Sequence, residues 1–286
     1  MKLSSIAELS SFLQAGDLLL LDIDETLVRP EADATEPWFN ALCAALHEKS
    51  GVSKAVCFRA GVELWQALQA VCQSAAPEEA ATINALAAAA SLPGVMCVGL
   101  TARGPECHEE TESQLAHCGI WHGVFATDSS LGELAPQAAG EWTAPLTHLH
   151  GIVYCSGSRK PAGLRAFEAA SSIAPSRRVV LVDDREAHCQ AVLDDRRNRG
   201  QPFLGLHYAP EGAAPSCELA RGWQLFAEVL ASPTAGRQRL RRMLELLDEA
   251  EGAPPPSGPP ASSYSVALAL VAGVTIGVGT ALWLRR

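Results

Sequence analysis

Five short aliphatic runs, each delivering a polar or charged residue at its C-terminal end, constrain this chain more than any other feature. They cover residues 18 to 21, 95 to 100, 151 to 155, 179 to 182 and 203 to 206. Runs that are apolar at nearly every position, not at alternate ones, fit strands covered on both faces. Stretches with helical spacing separate most of them. Strand and helix in alternation predict a doubly wound, Rossmann-like parallel α/β sheet. Sheets of this kind place ligands beyond the C-terminal strand ends, which is where the polar residues fall.

The rest of the chain divides by composition. Residues 1 to 235 read as a catalytic body. Within it, a segment from about 31 to 92 carries Leu42, Leu46, Leu64, Leu68 and Val71 at helical intervals and reads as an inserted helical cap. Residues 237 to 251 (RQRLRRMLELLDEAE) predict an amphipathic helix within 236 to 252. Its charges run from basic to acidic, against its own macrodipole, which leaves either contacts with a surface or a solvated helix. The prolines of 253 to 263 forbid helix and strand and make an extended linker.

From Tyr264 to Leu284 no residue is charged, and the stretch is long enough to cross a hydrocarbon layer of roughly 30 Å. Tyr264 and Trp283 stand near its two ends, where amphipathic rings prefer the interface, and Gly273 and Gly277 have the small-xxx-small spacing that lets two such helices dimerise. A C-terminal transmembrane tail anchor is expected, with the body in the cytosol. The N-terminus lacks the uninterrupted apolar core of a secretory signal. A net charge of -10 gives no basic field for nucleic acid. The nine cysteines include no Cys-x-x-Cys pair, so neither a zinc knuckle nor a redox dithiol is indicated, and mostly buried thiols are expected.

Four stretches carry the chemistry. In LLLLDIDETLV (18 to 28) a buried strand runs into Asp22, Asp24 and Thr26. Two carboxylates so close repel each other and resist burial unless a cation or a shared proton compensates them, so the pair invites Mg²⁺. In VGLTARG (98 to 104) the strand delivers the hydroxyl of Thr101, followed by Ala102 and Arg103. In SGSRKPAGLRAF (156 to 167) Lys160 precedes a helix that Pro161 can start. In VVLVDDREAH (179 to 188) a second carboxylate pair, Asp183 and Asp184, ends a strand, and hard oxygen donors of this kind suit Mg²⁺. His148 and His150 read as a surface-facing pair before a strand, and His108, His117, His122 and His188 show no ligand spacing.

Taken in order, the four stretches resemble the motifs of the haloacid dehalogenase (HAD) superfamily phosphatases across most of residues 15 to 210. The resemblance implies that Asp22 is the nucleophile, and that Asp24 protonates the leaving oxygen and then activates water. It implies a phosphate-binding set of Thr101, Ala102 and Lys160; Arg103, following Thr101 directly, is a candidate contact for the substrate anion or else a solvated loop side chain. It implies Mg²⁺ held by Asp22, the Asp24 carbonyl and Asp183, with Asp184 acting through water. LTARG, LVDDRE and FLGLHY look most like a little-described bacterial HAD-like family that includes effector-like phosphatases. The expected activity is hydrolysis of a phosphate monoester, on a small molecule or on a phosphoprotein of the phosphotyrosine type. A non-catalytic scaffold of the same fold and a phosphotransferase are the rival expectations.

Overall fold

The computed structural model describes residues 1–30, 39–40, 43–44, 47, 53–69, 74–120, 124–125, 129–135, 145–157 and 159–210. The predicted amphipathic helix, linker and tail anchor lie outside them, as do Leu42, Leu46 and Val71. Among the described residues no helix is long and apolar enough to cross a membrane.

The chain divides into two units, Met1–Arg29 with Ser74–Ala213, and Pro30–Gln73 with Ala214–Arg286. In the second, helix α1 (Lys54–Gln69) buries Cys57, Ala60 and Gln66, and its Phe58 ring meets Phe39 edge-on at 5.3 Å. The first unit holds an eight-stranded sheet. In chain order its strands are β1 (Lys2–Leu3), β2 (Leu18–Leu21), β5 (Met96–Thr101), β6 (Gly132–Leu134), β7 (Leu146–Leu149), β8 (Ile152–Tyr154), β9 (Val179–Asp183) and β10 (Phe203–Tyr208). Two further short strands, β3 (Arg29–Pro30) and β4 (Ser74–Ala75), pair separately where the chain leaves this unit and returns. The segment expected to form one cap over 31 to 92 is thereby split. Helix α2 (Glu79–Ser91) belongs with the sheet, where Ala85, Leu86 and Ala89 join its core.

The sheet order is β1-β10-β9-β2-β5-β8-β7-β6. From β1 to β8 every pairing is parallel, whereas β7 and β6 run antiparallel, so the sheet is mixed and not wholly parallel. The departure starts at a two-residue turn, His150 and Gly151, between the paired residues Leu149 and Ile152. Both turn residues have positive φ (47° and 79°), the requirement of a tight hairpin turn.

Both faces of the sheet are covered. Leu19 and Leu21 of β2 pack with α2 residues and with Leu115 of α3 (His108–His117), while Leu18 and Leu20 pack with α4 (Lys160–Ala170) and α5 (Glu186–Asn198) through Leu164, Phe167 and Val192. All four leucines of β2 are fully buried, and each contributes roughly 1.5–3 kcal/mol by leaving water. Continuous apolar runs mark the central strands for this reason. At the opposite end of the sheet from the site, Arg178 forks onto the Asp17 carboxylate at 2.9 and 2.6 Å, fixing β2 against β9.

His148 is buried in β7, contrary to the surface placement expected from sequence. Its Nδ1 accepts from the Leu131 N–H at 3.2 Å, and its ring lies 4.9 Å from that of Phe167. Burial, with His150 nearby adding to it, pushes its pKa down to about 4. The unfolded chain therefore takes up this proton near pH 6.5 while the folded chain refuses it until about pH 4. Stability from this group is present above pH 6.5 and lost on acidification through that window. Replacing His148 by Asn, whose Oδ1 can still accept from Leu131, is expected to flatten the fall in urea midpoint between pH 6.5 and 4.5. Parallel curves for the two proteins would contradict the assignment.

Candidate active site

Register brings the site together. β2 lies between β9 and β5, with Leu21 opposite both Val182 and Gly99. The next residues along, Asp22 and Asp183, therefore emerge side by side, and Thr101 ends the strand on the other flank. The chain runs from β2 out to β5 and β8, then returns to β9 on the far side of β2. Such a reversal opens a crevice at the carboxyl edge of the sheet.

Lys160 enters at the start of α4, with Pro161 in the first turn as the sequence predicts. The helix can lie this close because residue 163 is Gly; a Cβ there would come 2.5 Å from Cys155 Sγ. The Lys160 ammonium, only 3% exposed, sits 2.5 Å from Asp22 Oδ1 and 2.5 Å from Asp183 Oδ2. Asp183 Oδ1 accepts from the Arg185 N–H at 2.9 Å, and His188 Nδ1 lies 3.1 and 3.2 Å from the two Asp183 oxygens. Thr26 is fully buried and ties the two acidic turns together, its hydroxyl accepting from the Asp184 N–H at 3.0 Å.

Asp22, Asp183 and Asp184 each offer a carboxylate oxygen, and these atoms lie within 4.8 Å of one another. Three carboxylates against one ammonium leave an excess of negative charge in a largely dry site. Burial pushes the Asp22 carboxyl up to about 6, with Asp183 and Asp24 adding to the rise and Lys160 opposing it. Asp184 rises further, to about 8, through burial and the charges of Asp22 and Asp183. Burial would raise Asp183 too, but Lys160 and His188 outweigh it and hold that group at about 2. Burial alone would lower the Lys160 ammonium, yet the two carboxylates override it and raise it. Hard oxygen donors, clustered and under-neutralised, could hold a metal cation.

Thr101 is fully buried, and its Oγ1 accepts from the Arg103 N–H at 3.1 Å, which leaves the hydroxyl proton to be given elsewhere. Ala102 beside it is exposed. The Arg103 side chain is buried. Its guanidinium, 1% exposed, reaches Asp24 Oδ1 at 2.8 Å and is held on its other side by Thr111 and Gln114. Asp24 is the more open partner, its side chain 32% exposed.

A family model described as "Protein of unknown function (DUF2608)" matches residues 2–225. The chain belongs to that family. No curated protein and no solved structure matches it. The DUF2608 match spans every residue of the cluster just described.

Two features of the DUF2608 site carry no signal in the sequence. His188 has no ligand spacing, yet its place in the first turn of α5, directly after the Asp183–Asp184 pair, brings it back over the strand end. The link from Arg103 to Thr111 and Gln114 follows no pattern, because it joins a loop to the interior face of α3.

A cation at this cluster should stabilise the fold by mass action. At a hundredfold excess over Kd the gain is about 2.7 kcal/mol, or roughly 5–10 °C in Tm. Titrating Mg²⁺ into the full chain is expected to give a saturable rise of that size, and Asp183→Asn to abolish it. An equal rise in both proteins would place the cation somewhere else.

Proposed function

We propose that this chain is a Mg²⁺-dependent phosphatase of the HAD type, hydrolysing a phosphate monoester through an aspartyl-phosphate on Asp22. The observation that carries the proposal is the meeting of Asp22, Asp183 and Lys160 at one edge of the sheet, with Lys160 2.5 Å from both carboxylates. It is the arrangement needed where an anionic nucleophile must approach an anionic phosphate.

In the first half-reaction an Asp22 carboxylate oxygen attacks phosphorus, the bond from phosphorus to the ester oxygen breaks, and Asp24 gives that oxygen a proton. In the second, water attacks the same phosphorus, its proton passes to Asp24, and the bond to Asp22 breaks to release inorganic phosphate. The Thr101 hydroxyl and the Ala102 backbone would bind the transferred phosphoryl group, and Lys160 would place a positive charge beside its oxygens. Mg²⁺ held by Asp22, Asp183 and Asp184, together with the Asp24 carbonyl, would offset the charge of nucleophile and phosphate. Asp24 supports phosphate-ester hydrolysis over dehalogenation, since a departing halide needs no proton.

The substrate would be a small phosphate ester or a phosphorylated side chain. The uncharged stretch from Tyr264 to Leu284 would tether the enzyme to a membrane, with the catalytic unit cytosolic and Gly273 and Gly277 available for pairing.

Two experiments test this. With Mg²⁺ and p-nitrophenyl phosphate the full chain is expected to release phosphate, and Asp22→Asn to lower the rate by a factor on the order of 10³ or more; an unchanged rate would exclude Asp22 as nucleophile. Deleting residues 264 to 286 is expected to move the protein from the membrane pellet to the soluble fraction with its hydrolytic rate kept. Continued pelleting would rule out that stretch as the tether.

A further inference from the structure

Arg103 is the least exposed charged side chain bordering the site that touches neither Asp22 nor Asp183 among its described contacts, and its donors are aimed in two directions. On one side Nη1 donates to Thr111 Oγ1 and to Gln114 Oε1, both at 2.8 Å. Thr111 Oγ1 is itself oriented, because it donates to the Cys107 carbonyl at 2.7 Å. On the other side Nη2 donates to Asp24 Oδ1 at 2.8 Å, and Nε lies 3.3 and 3.2 Å from Asp24 Oδ1 and Oδ2. The backbone is pinned as well. Arg103 N–H donates to Thr101 Oγ1 at 3.1 Å and its carbonyl accepts from Ser156 N–H at 3.0 Å, while the Thr101 and Ala102 carbonyls accept from Cys155 and Gly157 N–H at 2.9 and 2.7 Å.

We infer that Arg103 is a positioning residue for Asp24: α3 fixes the guanidinium, and the guanidinium fixes where the Asp24 carboxylate sits relative to the Thr101–Ala102 phosphate-binding turn. The inference rests on the phosphatase reading given above, in which Asp24 handles the proton of the leaving oxygen.

Three features separate this role from a plain structural tie. A planar guanidinium already fixed by two acceptors on α3 has no freedom left to follow its third partner, so Asp24 is the group that is set in place. The Asp24 carboxylate keeps an exposed edge, 32% of its side chain, while Arg103 keeps 1%; the pair presents one reacting group to the mouth of the site and hides its support. The partners are 79 residues apart, and they belong to the two parts of the site that must agree in geometry, the phosphate cradle and the proton donor. A proton donor displaced by about 1 Å can lose on the order of a hundredfold in rate.

The leaving group reports this directly. p-Nitrophenolate departs readily without a proton, whereas phenolate, nearly the same size, depends on receiving one. In the full chain with Mg²⁺, Arg103→Gln is expected to lower kcat for phenyl phosphate about ten- to a hundredfold more than kcat for p-nitrophenyl phosphate. Thr111→Val, which removes one anchor of the guanidinium and leaves Asp24 untouched, is expected to shift the same ratio in the same direction by a smaller factor. Thermal melting of each variant keeps loss of folding separate from loss of positioning. Equal losses on both esters would mean Arg103 only supports the fold, and a rise in KM for both at an unchanged kcat ratio would mean it grips the substrate anion. Either result overturns the inference while the phosphatase reading stands. Absence of hydrolysis of either ester by the unmodified chain would remove both.

Discussion

The Lys160 ammonium, lodged between the Asp22 and Asp183 carboxylates at 2.5 Å from each, is the interaction on which the rest of this structure turns. Two carboxylates buried at adjacent strand ends would otherwise repel each other in a medium that screens poorly. The surrounding fold is arranged to make the contact possible. The parallel register of β2 and β9, held at its far end by Asp17 and Arg178, delivers the two acids side by side. Gly163 lets α4 settle close enough to β8 for its first residue to reach them. One ammonium does not balance Asp184 as well, and the excess of acid over base leaves a cluster that could hold a metal cation.

The charge pattern also explains how the site is layered. Asp183 is held by Lys160, His188 and a backbone N–H, so it is the fixed member of the cluster. Asp22 shares that ammonium, but burial and the neighbouring acids still push its carboxyl up to about 6. Asp24 stands apart, on the Arg103 fork and closer to solvent. Three carboxylates within a few residues of two strand ends thus occupy three electrostatic settings, the kind of separation that the proposed division into ligand, nucleophile and proton carrier requires.

Much of this is legible in the sequence, for a definite reason. Strands buried on both faces need continuous apolar runs, and β2, β5, β8, β9 and β10 all lie within a residue or two of such runs. The acidic pairs stand out because carboxylates at the ends of these runs stay charged only beside a cation or a basic side chain. The sheet edges are less visible: β6 and β7 are short and carry Glu133 and His148, and the turn from β7 into β8 is made by His150–Gly151 and not by the usual Asn-Gly or Asp-Gly signal. The composition of α2 does not say which unit it joins, because seven of its thirteen residues are alanine and suit a cap or a sheet equally well. Composition alone places Arg103 and His148 toward the surface, since charged and imidazole side chains are usually exposed, and the partners that bury them lie elsewhere along the chain.

The central claim, that Asp22, Asp183 and Asp184 form one cation site at the carboxyl edge of the sheet, is tested most directly by anomalous diffraction from crystals grown with Mn²⁺. The account predicts a single strong peak at roughly 2.0–2.2 Å from carboxylate oxygens of Asp22 and Asp183, with Lys160 still beside them. A saturated crystal with no peak between these residues, or with its peak at another group of acids, would contradict it.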